Sequence, residues 1–182
     1  EKILNPVSTL LFPKISFSNK KEGIKTCCFA FRVSLIIILI ALFFYLLFAK
    51  LIVLILFGNE FIDITKVVYY LAPCTLITGL MSILNLYYAA SGREIVKAYI
   101  QIIPVLLQFI LAYLLTKEYG LMGPLFATVT NTILYSFLSI IIFVRDTKIN
   151  YLELIPMKSD FIFILNFLKD IITQNQMKYL RK

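Results

Sequence analysis

Long apolar runs alternate with short polar breaks along this chain, and the runs share one length class. They are Val33–Phe57, Val67–Ala90, Ala98–Thr116 and Tyr119–Val144, and the last three contain no Asp, Glu, Lys or Arg. A helix of about 20 residues crosses the ~30 Å hydrocarbon core of a bilayer, so each run predicts a spanning helix. The expected fold is all-α, a polytopic transmembrane helix bundle with four spanning helices over residues 33–145. Residues 1–32 precede it as the end of an earlier helix and a basic loop over Lys14–Arg32. Residues 146–182 follow as a tail. Within the tail, Asn166, Lys169, Asp170 and Thr173 share one face of Asp160–Thr173. That pattern predicts an interfacial C-terminal amphipathic helix, attracted by anionic lipid.

The few polar residues inside the runs fall at helical spacing. Thr75, Thr78, Ser82 and Asn85 share a face of the second run. Lys97, just before the third, aligns with its Gln101 and Gln108 around Pro104, which removes a backbone hydrogen bond and bends its helix. Thr128, Asn131, Thr132, Tyr135 and Ser139 form a stripe on the fourth. Such stripes meet either a neighbouring helix or a wet cavity. Any one Thr or Ser fits helix packing. Three stripes together fit a shared polar interior, with Asn85, Lys97, Gln101, Gln108, Thr128 and Asn131 as substrate-path candidates. The first run differs, because Leu, Ile and Phe cover every face and predict lipid contact. Its Lys50 lies near the outer end, where a lysine can snorkel to the headgroups.

Charge adds an orientation. The net charge is +8, which in a soluble chain would raise nucleic acid as a partner. But 60% of the residues are hydrophobic, against roughly 45–50% in a soluble domain. Four crossings put fifteen of the 18 basic residues on one side, leaving only Lys50, Lys66 and Lys117 opposite. This positive-inside bias places both ends of the segment in the cytoplasm and makes a nucleic-acid partner unnecessary. The lipid bilayer is the expected partner. Arg32 and Arg93 stand at the cytoplasmic mouth, where they either serve topology or attract a phosphate or pyrophosphate.

Little in the chain points to catalysis. There is no His, hence no histidine base for a nucleophile. The cysteines are Cys27, Cys28 and Cys74, without metal-ligand spacing or a disulfide framework, and read as reduced, inert thiols. Lipidation of the adjacent pair is the alternative. Glu60 and Asp63 lie on the outer side, and Asp146, Glu153, Asp160 and Asp170 are scattered along the tail. None forms the close carboxylate pair that Mg²⁺ chemistry wants. No glycine-rich phosphate loop exists. The chain is expected not to be an enzyme and to need no cofactor or metal.

Four segments carry a resemblance. They are Leu11-Phe12-Pro13-Lys14-Ile15-Ser16, Leu56-Phe57-Gly58-Asn59-Glu60-Phe61, Ala89-Ala90-Ser91-Gly92-Arg93, and Tyr119-Gly120-Leu121-Met122-Gly123 followed by Ala127-Thr128. In order and spacing they resemble the C-terminal half of polysaccharide-export flippases of the multidrug/oligosaccharidyl-lipid/polysaccharide exporter superfamily. Gly123-Pro124-Leu125 departs from the Gly-Ala-Ala usual there. The resemblance implies two pseudo-symmetric helix bundles that rock about a central site, moving a lipid-linked oligosaccharide on a polyprenyl pyrophosphate. On that expectation this chain is a C-terminal piece, and its partners include missing N-terminal helices of the same protein. A peptidoglycan-precursor flippase or drug exporter of the same superfamily fits the same pattern. So does a glycosyltransferase of the pathway, or a membrane subunit without transport.

Overall fold

The computed structural model describes residues 5–166 and 169, and among them the regular structure is helical, with no strand. Helix α1 (Asn5–Ser16) leads by a tight turn into α2 (Lys20–Phe57). After a 3-10 segment at Asn59–Ile64 come α3 (Thr65–Ala90), α4 (Glu94–Tyr119) and α5 (Gly123–Thr147). A 3-10 turn at Tyr151–Leu154 then precedes a short helix, α6 (158–166); of the amphipathic helix expected over Asp160–Thr173, residues 167–168 and 170–173 lie outside the described residues. Helices α2 to α5 are each long and apolar enough to cross a membrane, as the four runs predict, and they fit a multi-pass membrane protein.

The basic loop expected over Lys14–Arg32 is instead mostly helix. Lys20, Lys21, Glu22 and Lys25 are exposed, whereas Gly23, Ile24, Cys27, Cys28 and Phe31 are buried. Those buried positions recur at helical spacing, so the charges occupy one face and the core takes the other. The result is a 38-residue α2, about 57 Å long at 1.5 Å per residue. It is nearly twice as long as the ~30 Å hydrocarbon core and extends past it. Similarly, Tyr119 ends α4 rather than starting α5, because Gly120 breaks the chain there at φ 57°.

Helix α3 packs between α2 and α5, and α4 lies along α5 with little contact to α3. The core sits toward one end. Cys27, Cys28 and Phe31 of α2 meet Ile83, Leu84, Tyr87 and Tyr88 of α3 and Phe143 and Val144 of α5. This is also where α1, the α3–α4 turn and the tail gather, and it is called the basic end below. Beyond Ile38, α2 buries only Ala49 and Val53. The apolar stretch of α4 is 11% buried, which leaves most of its surface for lipid or further helices.

The hairpin of α4 and α5 closes at Gly123. A Cβ there would fall well inside van der Waals distance of the Thr116 backbone nitrogen and the Leu115 carbonyl carbon. Only glycine permits that approach. One turn later Ala127 is fully buried, continuing the small-residue track by which membrane helices pack closely.

Candidate functional site

The polar stripes resolve into two separate contacts, both made by α5. Asn85 of α3 is 1% exposed, and its Nδ2 donates to the Tyr135 hydroxyl at 2.8 Å, to Ser139 Oγ at 3.3 Å and to the Met81 carbonyl at 3.2 Å. On α4, Gln108 Nε2 donates to Thr128 Oγ1 at 3.2 Å, and that hydroxyl donates to the Pro124 carbonyl at 2.8 Å. Thr128 and Tyr135 are seven residues apart, about 10 Å along the helix axis, so the two contacts are neighbours and not one cluster. Asn131 lies between them on α5. It is half-buried, and its Oδ1 is buried without a hydrogen-bond partner; the Asn85 Oδ1 is in the same position.

The remaining stripe residues split according to angle. Thr75 and Ser82 are exposed on α3, 40° or more from Asn85 around a helix that turns 100° per residue. Their hydroxyls donate to carbonyls of their own helix, at Ala72 and Gly79. A hydroxyl satisfied this way can face lipid without an unpaired donor. Gln101 is exposed on α4 and Lys97 half-buried a turn earlier, and no side-chain hydrogen bond is described for either. Pro104 is buried between Gln101 and Gln108. The structure thus joins Gln108 to Thr128 and Asn85 to Tyr135, and leaves Lys97 and Gln101 apart from both.

Both mouth arginines have carboxylate partners. Arg32 Nε lies 2.8 Å from Asp160 Oδ2, and Nη2 lies 3.3 Å from Oδ1. Its Nη1 donates to the Glu153 carbonyl at 2.9 Å. The Asp160 side chain is 1% exposed and that of Arg32 is 14% exposed. Arg93 Nη1 donates to Asp146 Oδ1 at 2.9 Å, while the 2.8 Å approach of Nη2 to Oδ2 is ionic without hydrogen-bond alignment. The guanidinium also lies 5.3 Å from the Tyr88 ring centroid and 5.6 Å from that of Tyr87. Its hydrogen bond to Asp146 holds Arg93 above the ordinary guanidinium range, so it stays charged. In this conformation each arginine holds a carboxylate where a phosphate would otherwise sit.

In the sequence Asp146 and Asp160 read as scattered tail carboxylates. Asp160 is 128 residues from Arg32, and no local pattern encodes such a pairing. A local signal did exist for its place in α6. Asp160 Oδ2 accepts the Met157 N–H at 2.8 Å, the side-chain half of a capping box at the start of that helix.

At the basic end a cavity of about 330 Å³ opens among α1, α2 and the α3–α4 turn, lined in part by Ser16, Ser18, Lys20, Tyr87, Ser91 and Arg93. It contains none of the neutral amide candidates. The three cysteines are free and buried. Cys27 and Cys28 are 0% and 2% exposed, which closes them to lipidation in this fold. Among the described residues no group of three His, Cys, Asp or Glu side chains is placed to hold a metal.

No protein-family model matches the chain, and neither do curated proteins or solved structures.

Proposed function

We propose that this chain supplies the C-terminal helices of a flippase that carries lipid-linked oligosaccharide across the cytoplasmic membrane, with the basic end in the cytoplasm. The observation that carries the reading is the row of neutral polar groups along α4 and α5. Gln108 and Thr128 bond across the helix pair, Asn131 keeps a buried acceptor unanswered, and Gln101 is open. A buried carbonyl oxygen without a donor is costly in hydrocarbon, and a hydroxyl-rich head group that reached it as the helices moved would supply donors. The neutral amides and hydroxyls at Gln101, Gln108, Thr128 and Asn131 suit a sugar, and alternating access would bring it past them.

The four segments that carry the family resemblance add support through their positions. Each falls at a helix end or turn, and Gly58, Gly92 and Gly120 in three of them adopt positive φ. The reading includes no catalytic residue and no cofactor; the work is binding and movement.

Reconstitution tests it. The full-length protein in vesicles should carry a fluorescent polyprenyl-pyrophosphate oligosaccharide to the opposite leaflet, and Gln108→Leu with Asn131→Leu should slow transfer several-fold. Unchanged transfer in that double variant would remove the polar row from the path. Reporter fusions after Lys66 and Lys117 check orientation, since cytoplasmic activity at both would reverse it.

A second reading has its own observation. Asn85, sealed from solvent and bonded to Tyr135 and Ser139, fastens α3 to α5 in the manner of a structural contact. A membrane subunit without transport would need nothing more.

A further inference from the structure

We propose that residues 151–166 form a strap that docks on the headgroup region of an anionic lipid leaflet, pinned to α2 by Arg32 and Asp160. The inference does not depend on the transport reading.

The pin is built from both sides. Arg32 spends three donors on the strap, two on Asp160 and one on the Glu153 carbonyl. Asp160 is buried although it lies on a short peripheral helix. Phe163 packs edge-on against Phe29 of α2, with ring centroids 5.1 Å apart. Leu154 buries into the core beside them. These contacts fix one side of the strap to the bundle.

Its other side is apolar and open. Phe161, Ile162 and Leu165 are 51%, 58% and 65% exposed, and Leu152 and Ile155 are exposed with them. In water such a surface would be costly, since exposed apolar area is what folding normally removes. The spanning helices expose large apolar side chains as well, Phe43 and Leu47 of α2 and Phe109 of α4 among them. The open side of the strap lies at the end of the bundle where the exposed Arg145, Lys148 and Lys158 stand. An apolar face flanked by cations matches the boundary between acyl chains and anionic headgroups. The Arg32–Asp160 pair keeps that face turned outward by holding the opposite one.

The chain contains no Trp, so Phe161→Trp or Leu165→Trp gives a single indole reporter. The full chain would be reconstituted into phosphatidylcholine vesicles with and without phosphatidylglycerol, using lipids brominated near the headgroup. The expected result is quenching several-fold stronger by bromolipid than by aqueous iodide, and stronger with phosphatidylglycerol present. Dominant iodide quenching would mean a strap in water. Silence toward both quenchers would mean a face covered by protein, such as a second copy. Either overturns the proposal, and equal bromolipid quenching without phosphatidylglycerol overturns its anionic part.

The pin has its own arm. Asp160→Asn in the Leu165→Trp background should lose most of the bromolipid quenching, and the charge swap Arg32→Asp with Asp160→Arg should restore it. Quenching unchanged in Asp160→Asn overturns the pin. Helix content by circular dichroism separates loss of the strap from loss of the bundle.

Discussion

The two ends of this bundle hold together by different means. At the basic end, α2, α3, the α3–α4 turn, the end of α5 and the tail are tied by two ion pairs and an aromatic group of Tyr87, Tyr88 and Phe143. Toward the opposite end the described ties include close backbone approach at Gly123 and neutral hydrogen bonds, from Gln108 to Thr128 at 3.2 Å and from the Tyr45 hydroxyl to the Val68 carbonyl at 3.4 Å. The difference follows from the solvent. Within hydrocarbon, apolar contact between helices gains nothing over contact with lipid, so shape and small residues do the packing. At the headgroup level water and charge return, and ion pairs and cation–π contacts become usable. Each end can be attacked separately.

The largest effect belongs to Gly123. In Gly123→Val the Cβ meets Leu115 and Thr116 backbone, which cannot rotate away as a side chain can. The hairpin of α4 and α5 must splay, costing more than the ~1–3 kcal/mol of ordinary overpacking. The expected outcome is little folded protein in detergent, read by size-exclusion chromatography and thermal unfolding. A normal yield with an unchanged melting temperature would show that the hairpin is not closed as described.

The two ion pairs come next, and they should differ from each other. Removing Asp160 leaves the Arg32 charge, 14% exposed, without its carboxylate. Breaking one partner of a buried pair costs about 3 kcal/mol or more. Asp160→Ala is therefore expected to lower stability by about that amount. The Arg93–Asp146 pair is one-third exposed on both sides, where ion pairs contribute ~0–1 kcal/mol. Stacking on Tyr87 and Tyr88 adds about 0.5–1 kcal/mol, so Arg93→Ala should cost about 1 kcal/mol. Denaturant titrations of the two variants in one detergent compare them directly. Equal losses would mean that burial does not separate the pairs.

What the chain discloses before folding divides along the same line. The four candidate spans, their order and the exposed apolar surface of α2 beyond Ile38 are legible because hydrophobic runs at membrane length admit few alternatives. The bond between Gln108 and Thr128 is half legible. Helical spacing marks each residue as facing something, but not which helix. The helical start of α2 was obscured because its charges at Lys20, Lys21 and Lys25 suggest a loop, and only the burial of Cys27, Cys28 and Phe31 shows the second face. The pins at the basic end were not legible at all. Arg32 and Asp160, like Arg93 and Asp146, meet through tertiary packing between residues 128 and 53 positions apart.

The smallest expected stability effects come from the polar contacts within the bundle, and they set the two functional readings against each other. Interhelical polar bonds in membranes average about 0.6 kcal/mol, so neither Asn85→Leu nor Gln108→Leu should unfold the protein. Their accessibility should differ more than their energies. With Asn85 sealed and Gln108 half-buried beside open Gln101, cysteines at these positions should react with a polar thiol reagent in the order Gln101, Gln108, Asn85. The buried native cysteines give a low background. If transport substrate slows labelling at Gln101, Gln108 and Asn131 but not at Asn85, the row on α4 and α5 lies along the path and Asn85 is a fastener. If Gln108 and Asn131 are as silent as Asn85 throughout, both polar contacts are fasteners. The chain is then better read as a structural subunit than as part of a flippase.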